Sequence, residues 1–250
     1  MKKLIKKQGI PPNLRGLVWP NLTSAVKRQK KSKNKYQLIL QKEVTPDNPH
    51  SFSIEKDLSR TFPTNVWFNT DAVQNSLRNM LLALSVTKPE IGYCQAMNFV
   101  AAIFLFFVPE ELSFWLVCSI VDEILPAHYY SGDLLGLKVD VEVMRMLLQQ
   151  RLPKIHEHFS NNDVDPCIFV NQWFMCLYIN FLPMQTAMRF LDSFLYDGPV
   201  MLFRVGLALF WMNQKLILNA EDEEELMTIC KDMPQAVSDT KKLMDLAYDT

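Results

Sequence analysis

The sequence predicts an all-α protein, and three observations carry that prediction. Apolar residues recur at spacings of three and four almost throughout the 250 residues, whereas runs with the alternation of a β-strand are rare. The chain is 49% hydrophobic, with only 7 glycines and 14 prolines, so it can bury a large core and does not have the composition of a disordered chain. No repeat of fixed period occurs, so we expect one large domain or two smaller helical ones rather than a solenoid.

Turn and capping signals place six helices in the first half of the chain. Glycine and proline in residues 9–16 predict a turn, followed by a short helix that reaches Trp19. Ser53 is expected to cap a helix that Pro63 closes, and Pro109 stands at the start of another, a position that proline favours. Besides the helix ending at Trp19, the predicted helices are residues 35–43, 53–59, 71–86, 93–108 and 110–124.

The second half shows the same helical spacing. The apolar run 99–108 is too short for a membrane span, and the run 200–218 carries Arg204 and Lys215, so both are predicted to be buried core helices. The predicted helices of this half are residues 140–152, 168–181, 184–196, 200–218, 222–231 and 234–248.

Charge is distributed unevenly along the chain, although the net charge is only −1. Residues 1–35 hold eleven lysines and arginines and no acidic residue, which leaves 15 of the 26 basic residues against all 27 acidic ones. Such a basic segment can contact anionic lipid, an acidic partner or the protein's own acidic body, or it can simply be solvated. Its lysine-rich part, residues 27–35, is also compatible with a disordered loop.

The five cysteines are odd in number, scattered, and mostly within apolar runs, and no Cys-x-x-Cys pair occurs. This pattern predicts buried, reduced thiols in a cytoplasmic protein. No glycine-rich phosphate loop is present, so we expect the protein not to bind nucleotide by itself. The sequence also lacks the motif context of a Ser/His/Asp hydrolase. Its histidines and cysteines do not have the spacing of a metal site.

Ile54, Asp57 and Arg60 follow one another at helical spacing, just before a Phe-Pro break. On a helix, Asp57 and Arg60 lie one turn apart, so the carboxylate can pair with the guanidinium. By spacing alone, the simpler interpretation is a surface ion pair that contributes about 0.2–0.5 kcal/mol. The alternative is that Asp57 orients an arginine that acts on a partner.

Gln95 follows Tyr93 after a proline and glycine break, near the start of an apolar predicted helix. A glutamine there can satisfy unpaired backbone groups of the helix end, project into solvent, or position a water molecule. The spacing alone does not favour the third interpretation.

Three short motifs occur in order along the chain. They are Arg-x-x-x-Trp at residues 15–19, Ile-x-x-Asp-x-x-Arg at residues 54–60 and Tyr-x-Gln at residues 93–95. Similar context flanks them, including Gly9-Ile10-Pro11 before the first motif and Thr61-Phe62-Pro63 after the second. In order, spacing and context, the chain resembles the TBC domain of Rab GTPase-activating proteins over about residues 9–215.

The resemblance implies the fold and the domain limits. It implies an all-α, multi-helix TBC domain of two helical lobes with a groove between them. This domain would occupy residues 9–250, with residues 216–250 as C-terminal helices after the core of the resemblance. Residues 1–8 would then form a basic N-terminal lead.

The resemblance also assigns roles to individual residues. Arg60 is similar to an arginine finger, supplied in trans to the GTP of a Rab protein. Gln95 is similar to a glutamine finger, which replaces the glutamine that the GTPase would otherwise use to orient water. By the same resemblance, Ile54 and Asp57 support Arg60, and Tyr93 supports Gln95.

The first motif and two departures complete the resemblance. Arg15 and Trp19 are similar to structural residues that tie the first helix to the core. Ala96 stands where the family usually has glycine, and Leu191 where it usually has tryptophan. Because alanine is a better helix former than glycine, we expect Ala96 to have a mild effect.

The resemblance finally implies an activator that acts on a partner's GTP hydrolysis and has no independent catalytic activity. Its partner would be a Rab-type small GTPase in the GTP-bound form, and GTP and Mg²⁺ would belong to that partner, not to this chain. The implied setting is vesicle trafficking, in the cytoplasm, with peripheral contact at endomembranes through the basic N-terminal segment and no nucleic acid. The alternative is a catalytically weak or inactive TBC-like module that binds a GTPase or another partner.

Overall fold

Sixteen α-helices and two π-helical turns account for the regular structure of residues 2–249, the part of the chain that the computed structural model describes. No β-strand occurs in that range, so the prediction of an all-α protein is confirmed. The helices are α1 (Lys2–Gln8), α2 (Pro12–Leu22), α3 (Ala25–Lys31), α4 (Lys35–Leu38, continued by the π-turn Ile39–Glu43), α5 (Ser51–Leu58), α6 (Asp71–Thr87), α7 (Met97–Leu105), α8 (Glu110–Ser119, continued by the π-turn Ile120–Ile124), α9 (Leu135–Arg151), α10 (Pro153–Asn161), α11 (Cys167–Met175), α12 (Met184–Asp197), α13 (Val200–Met212), α14 (Gln214–Asn219), α15 (Glu223–Asp232) and α16 (Thr240–Asp249).

The helices form two compact units. The N-terminal unit comprises residues 11–135 and therefore holds α2 to α8. The C-terminal unit comprises the residues up to Ile10 together with those from Gly136 onward, so α1 joins the helices from α9 to α16. The chain thus folds as two helical lobes, as predicted.

In the N-terminal unit, the core forms where α5, α6 and α8 surround α7. The apolar face predicted for α6 is buried, including Leu77, Leu81 and Leu84. Helix α7 is apolar on all sides because it has neighbours on several sides, which is the pattern of a buried core helix. This burial makes α7 a rigid base for the segment that precedes it.

In the C-terminal unit, α13 packs against α12, α14 and α16, and α1 packs on α12 and α16. The backbone N–H of Ile10 donates to the buried Asp192 carboxylate at 2.9 Å. Arg189 donates to the Lys6 carbonyl at 2.8 Å. These two contacts fix the first ten residues to α12.

Several segments differ from the sequence prediction, and the helices α1 and α10 lie outside all the predicted helices. Of the lysine-rich run 27–35, expected to be a possible loop, residues 27–31 belong to α3, because Ala25 at its start is fully buried and Arg28 pairs with acidic residues that follow α8. The predicted helix 200–218 is interrupted at Asn213, whose side chain donates to the Leu209 carbonyl. Helix α7 begins at Met97, not at residue 93. Smaller differences affect helix ends: α9 begins earlier at Leu135, α11 ends earlier at Met175, and α16 begins later at Thr240.

The cysteines and the long apolar helices follow the prediction. All five cysteines are free thiols, four of them buried, and Cys94 is half-buried. None of the helices within residues 2–249 has both the length and the hydropathy that a membrane span requires.

Candidate functional site

Arg60 lies in the turn that follows α5, two residues after the helix ends at Leu58. Its side chain is 52% exposed. The next residue but one, Phe62, anchors the chain through ring contacts at centroid separations of 5.4–5.9 Å to Phe68, Phe99 and Phe106. Arg60 therefore projects outward from a backbone that is held firmly on both sides.

Asp57 lies beneath Arg60 and is only 3% exposed. Its Oδ1 pairs with Nη2 of Arg60, and its Oδ2 accepts a hydrogen bond from the Tyr93 hydroxyl at 2.5 Å. A buried carboxylate is costly unless it is paired and hydrogen-bonded, so Asp57 depends on both partners. Since Tyr93 precedes Gln95 by two residues, this one carboxylate connects the Arg60 turn with the segment that carries Gln95.

Ile54 and Tyr93 complete the support of this carboxylate. Ile54 is fully buried one turn before Asp57 and holds that face of α5 against the core. Burial, and then the hydrogen bond to Asp57, raises the pKa of Tyr93 well above its ordinary value. The phenol is therefore protonated at neutral pH and donates its proton to the carboxylate.

Gln95 lies in a turn before α7, and its side chain is exposed. Within residues 2–249, its amide group makes no hydrogen bond to the protein. The segment that bears it reaches this place through Gly92, which has φ +61° and passes so close to the imidazole of His50 that a Cβ would overlap the ring. Gln95 is thus near a helix start, as predicted, but the predicted start at residue 93 is wrong: α7 begins two residues after Gln95.

Cys94, between Tyr93 and Gln95, does not add a nucleophile to the site. Burial raises the pKa of the Cys94 thiol to about 11, so it is neutral at pH 7. A neutral thiol is a poor nucleophile. Within the described residues, no group of three His, Cys, Asp or Glu side chains is arranged to hold a metal ion.

Ala96, the residue after Gln95, adopts φ +91° and ψ −24° and is buried. This is the left-handed region, where a side chain other than that of glycine costs about 1–2 kcal/mol. The expectation that alanine suits a helix at this position is wrong, because Ala96 precedes α7 and does not have helical dihedral angles. The strain falls directly on the turn that presents Gln95.

Replacing Ala96 by glycine should therefore cost far less than the same substitution at Ala102. Ala102 is buried within the body of α7, where loss of the methyl group and of helix propensity should lower the free energy of unfolding by about 2 kcal/mol. Ala96 lies outside the helix, so only the loss of its buried methyl group and the greater freedom of glycine in the unfolded chain count against glycine there. Relief of the left-handed strain offsets them, so Ala96→Gly should be close to neutral. Urea denaturation of the two variants measures the difference, and equal losses would show that Ala96 is not strained.

A second connection, not foreseen from the sequence, runs beside Asp57. Asn98 on α7 donates to the Thr61 hydroxyl at 2.7 Å, and that hydroxyl donates to the Asp57 carbonyl at 2.6 Å. Both side chains are fully buried. The signal in the sequence was Asn98 itself, an amide within an otherwise apolar helix. Two hydrogen-bonded links, through Tyr93 and through Asn98, therefore join the Arg60 turn to the segment around Gln95.

The Tyr93→Phe substitution tests the first link. It leaves Oδ2 of the buried Asp57 without its donor, so we expect the free energy of unfolding to fall by about 1.5–3 kcal/mol. Because Asp57 also orients Arg60, any activity that depends on Arg60 should fall as well. Tyr178→Phe is the matched control, since its hydroxyl donates to the Leu202 carbonyl at 2.9 Å in the C-terminal unit. Tyr178→Phe should lower the free energy of unfolding but leave the activity unchanged. Equal loss of activity in both variants would contradict a positioning role for Tyr93.

Arg15 and Trp19 lie together in the N-terminal unit, at the packing of α2 against the end of α7. Both are buried, and the Arg15 guanidinium lies 5.8 Å from the ring centroid of Trp19 and 5.9 Å from that of Phe107. A Cβ on Gly16 would lie 2.5 Å from the Phe107 carbonyl oxygen, so only glycine permits this approach. Unlike the exposed Arg60, both side chains are buried, so they contribute to packing rather than to a surface that a partner could contact.

The assembled site offers two exposed groups on one buried scaffold. One is a guanidinium, which can stabilise developing negative charge, and the other is an amide, which can align a water molecule. The described residues of the site contain no activated nucleophile. Such an arrangement suits the stabilisation of an anionic transition state whose reacting groups come from another molecule.

Comparison with known proteins places the chain among related domains. Residues 12–218 match the model of the Rab-GTPase-TBC domain. Human TBC1 domain family member 2B is 34% identical over 254 residues, covering 99% of this chain and 26% of the relative. Small G protein signaling modulator 3 from mouse is 32% identical over 238 residues, covering 94% of this chain and 32% of the relative. The chain thus spans about a quarter to a third of these curated relatives.

Solved structures agree with this relationship. The Chlamydomonas flagellar RabGAP TBC domain superposes with a TM-score of 0.89 at 30% identity, covering 99% of this chain and 83% of that one. The Ypt/Rab-GAP domain of Gyp1p superposes with a TM-score of 0.83 at 20% identity, covering 99% and 91%. At that identity the second comparison supports the fold alone.

Proposed function

The chain belongs to the Rab-GTPase-TBC domain family, and we propose that it accelerates GTP hydrolysis by a Rab-type GTPase through Arg60 and Gln95. The observation that carries the proposal is the shared carboxylate of Asp57. It forms an ion pair with Arg60 and accepts a hydrogen bond from Tyr93, which lies two residues before Gln95. Two residues far apart in sequence are thereby held on one scaffold with their functional groups exposed. A surface ion pair alone does not require a buried aspartate with a second donor.

The proposed chemistry follows from the groups that are exposed. During phosphoryl transfer, negative charge spreads over the transferred group and the leaving oxygen. The Arg60 guanidinium neutralises that charge, while the Gln95 amide orients the attacking water. An arginine finger contributes about 10³–10⁵ in rate, which corresponds to about 4–7 kcal/mol.

The remaining features of the proposal concern the partner and the setting. The partner is a Rab-type GTPase in its GTP-bound form, which brings GTP and Mg²⁺, so this chain needs no cofactor of its own and catalyses no reaction alone. Five free cysteines are compatible with a reducing cytoplasm. We place the protein there, in vesicle trafficking, with peripheral membrane contact through the basic N-terminal segment.

One observation favours the alternative of a catalytically weak binding module. Ala96 holds a left-handed conformation directly after Gln95, which stores strain in the turn that must position the water. If the turn relaxes away from this conformation, the amide is misplaced, although the rest of the surface can still bind a GTPase.

A panel of GTP-loaded Rab proteins tests the proposal. Single-turnover phosphate release is measured with and without the protein, and direct binding to each GTP-loaded Rab is measured in parallel. Stimulation of at least one member supports the activator. Binding without stimulation across the panel supports the weak module, and neither binding nor stimulation refutes both.

A further inference from the structure

The basic leading segment separates into paired and unpaired cations. Arg28 forms ion pairs with Asp122 at 2.7 Å and Glu123 at 2.6 Å. In contrast, the five lysines between residues 27 and 35 are exposed, and none forms an ion pair with any residue in the range 2–249. These lysines are Lys27, Lys30, Lys31, Lys33 and Lys35. The protein's own acidic body therefore does not account for them.

Three of these lysines share one face of α3. Lys27, Lys30 and Lys31 are spaced at i, i+3 and i+4, so their side chains are neighbours on the helix surface. Like charges at this spacing repel and destabilise the helix. Together with Asn21 and Thr23 they line an open depression of the surface, and no acidic residue lines it. This concentration of positive charge does not stabilise the folded helix. An anionic ligand bound in the depression would neutralise it.

Exposed leucines lie next to this depression. On α2, Leu14, Leu17 and Asn21 follow at helical spacing, and Leu17 is 66% exposed one turn before Asn21. The Asn21 side chain donates to the Leu17 carbonyl at 2.7 Å, and α2 packs against α3. Leu38 on α4, just past the last lysine, is also exposed. An apolar group thus adjoins the basic face.

We propose that this surface, the α2–α3 basic face (Leu14, Leu17, Lys27, Lys30 and Lys31), binds an anionic lipid bilayer. Clustered lysines attract anionic headgroups, and adjoining leucines enter the boundary between headgroups and acyl chains. A soluble polyanion would use the lysines but has no use for the leucines. Since the net charge of the chain is only −1, attraction of the whole chain to an anionic bilayer is weak, so binding needs a local concentration of positive charge such as this face. The inference rests on the proposed membrane contact but not on the finger mechanism.

Vesicle co-sedimentation tests the charge component. Vesicles of phosphatidylcholine are compared with vesicles that contain phosphatidylcholine and about 30% phosphatidylserine, because anionic lipid is the proposed ligand. Each lysine near the surface contributes about five-fold to partitioning, so Lys27→Gln, Lys30→Gln and Lys31→Gln combined should reduce binding about 100-fold. The control carries Lys154→Gln, Lys215→Gln and Lys231→Gln, which are exposed lysines of the C-terminal unit with the same total charge change. Equal loss in both triple variants, or binding that is indifferent to phosphatidylserine, overturns the proposal.

Three further measurements separate the possible ligands and functions. Leu17→Gln should reduce vesicle binding several-fold at unchanged charge. Tight binding of soluble inositol polyphosphate without vesicle binding would identify a site for a soluble polyanion and refute the proposed binding to a bilayer.

Stimulation of GTP hydrolysis in solution should be the same for the lysine triple variant and the wild type. Vesicle binding therefore tests the α2–α3 basic face alone, and GTPase stimulation tests the proposed function alone. Failure of one proposal can be recognised without failure of the other.

Discussion

Replacing Arg60 by lysine is expected to reduce the stimulated GTP hydrolysis of a Rab protein by about 10³-fold or more, nearly as much as replacing Arg60 by alanine. Lysine keeps the positive charge but loses the planar group whose several donors match the transferring phosphoryl oxygens. The loss should appear in kcat rather than in KM, because the contact forms only in the transition state. Single-turnover hydrolysis at several concentrations of the protein measures both.

The same two variants separate catalysis from folding. Arg60→Lys can still pair with Asp57, so its free energy of unfolding should stay close to that of the wild type. Arg60→Ala leaves Oδ1 of the buried Asp57 without its cation and should lose about 1–2 kcal/mol. Arg78→Lys is the matched control, because Arg78 is a partly exposed arginine of the same unit that pairs with Glu55 on α5. If Arg60→Lys keeps most of the stimulated rate, Arg60 is an ordinary ion-pair partner.

Replacing Gln95 by alanine is expected to reduce stimulated hydrolysis by about 10²–10³-fold, the loss typical of a group that positions or stabilises a transition state. Stability should change by less than about 0.5 kcal/mol, because the exposed amide makes no hydrogen bond to the described protein. A large kinetic effect without a folding effect is the signature of a group that acts on a partner.

Two variants sharpen this second prediction. Gln95→Glu keeps the length of the side chain but brings a negative charge toward phosphate oxygens, so it should be at least as inactive as Gln95→Ala. Gln150→Ala, at an exposed glutamine of α9 in the C-terminal unit, should leave both the rate and the stability unchanged. Full stimulation by Gln95→Ala would mean that the GTPase orients the water with its own residues.

The sequence predicted the helical class and most helices because their apolar residues face a core at regular spacing. Helix α6 was predicted within one residue, since its apolar face is continuous and ends at Lys88-Pro89. The lysines of residues 27–35 are equally typical of a loop, and the residues that make α3 a helix, the buried Ala25 and the ion-paired Arg28, carry no signal in local spacing. Local spacing cannot report a contact with a residue far away in sequence.

The candidate site was predicted in part. Ile54, Asp57, Arg60, Tyr93 and Gln95 were named from ordered motifs, but spacing alone left Arg60 a surface ion pair and Gln95 a residue at a helix end. The hydrogen bond from Tyr93 to Asp57 joins residues 36 positions apart, so it depends on the packing of α5 against α7. The Asn98 to Thr61 contact depends on the same packing and was not foreseen.

The sequence by itself determined an all-α chain, its motif order and its uneven charge, because these follow from local spacing and composition. Only the tertiary structure decided that Asp57 is shared between the two motifs and that Ala96 lies in a left-handed turn before α7 rather than within it. It also decided which cations of the basic segment are paired. Such features depend on which distant residues a folded chain brings together, and that is settled by the packing of whole helices.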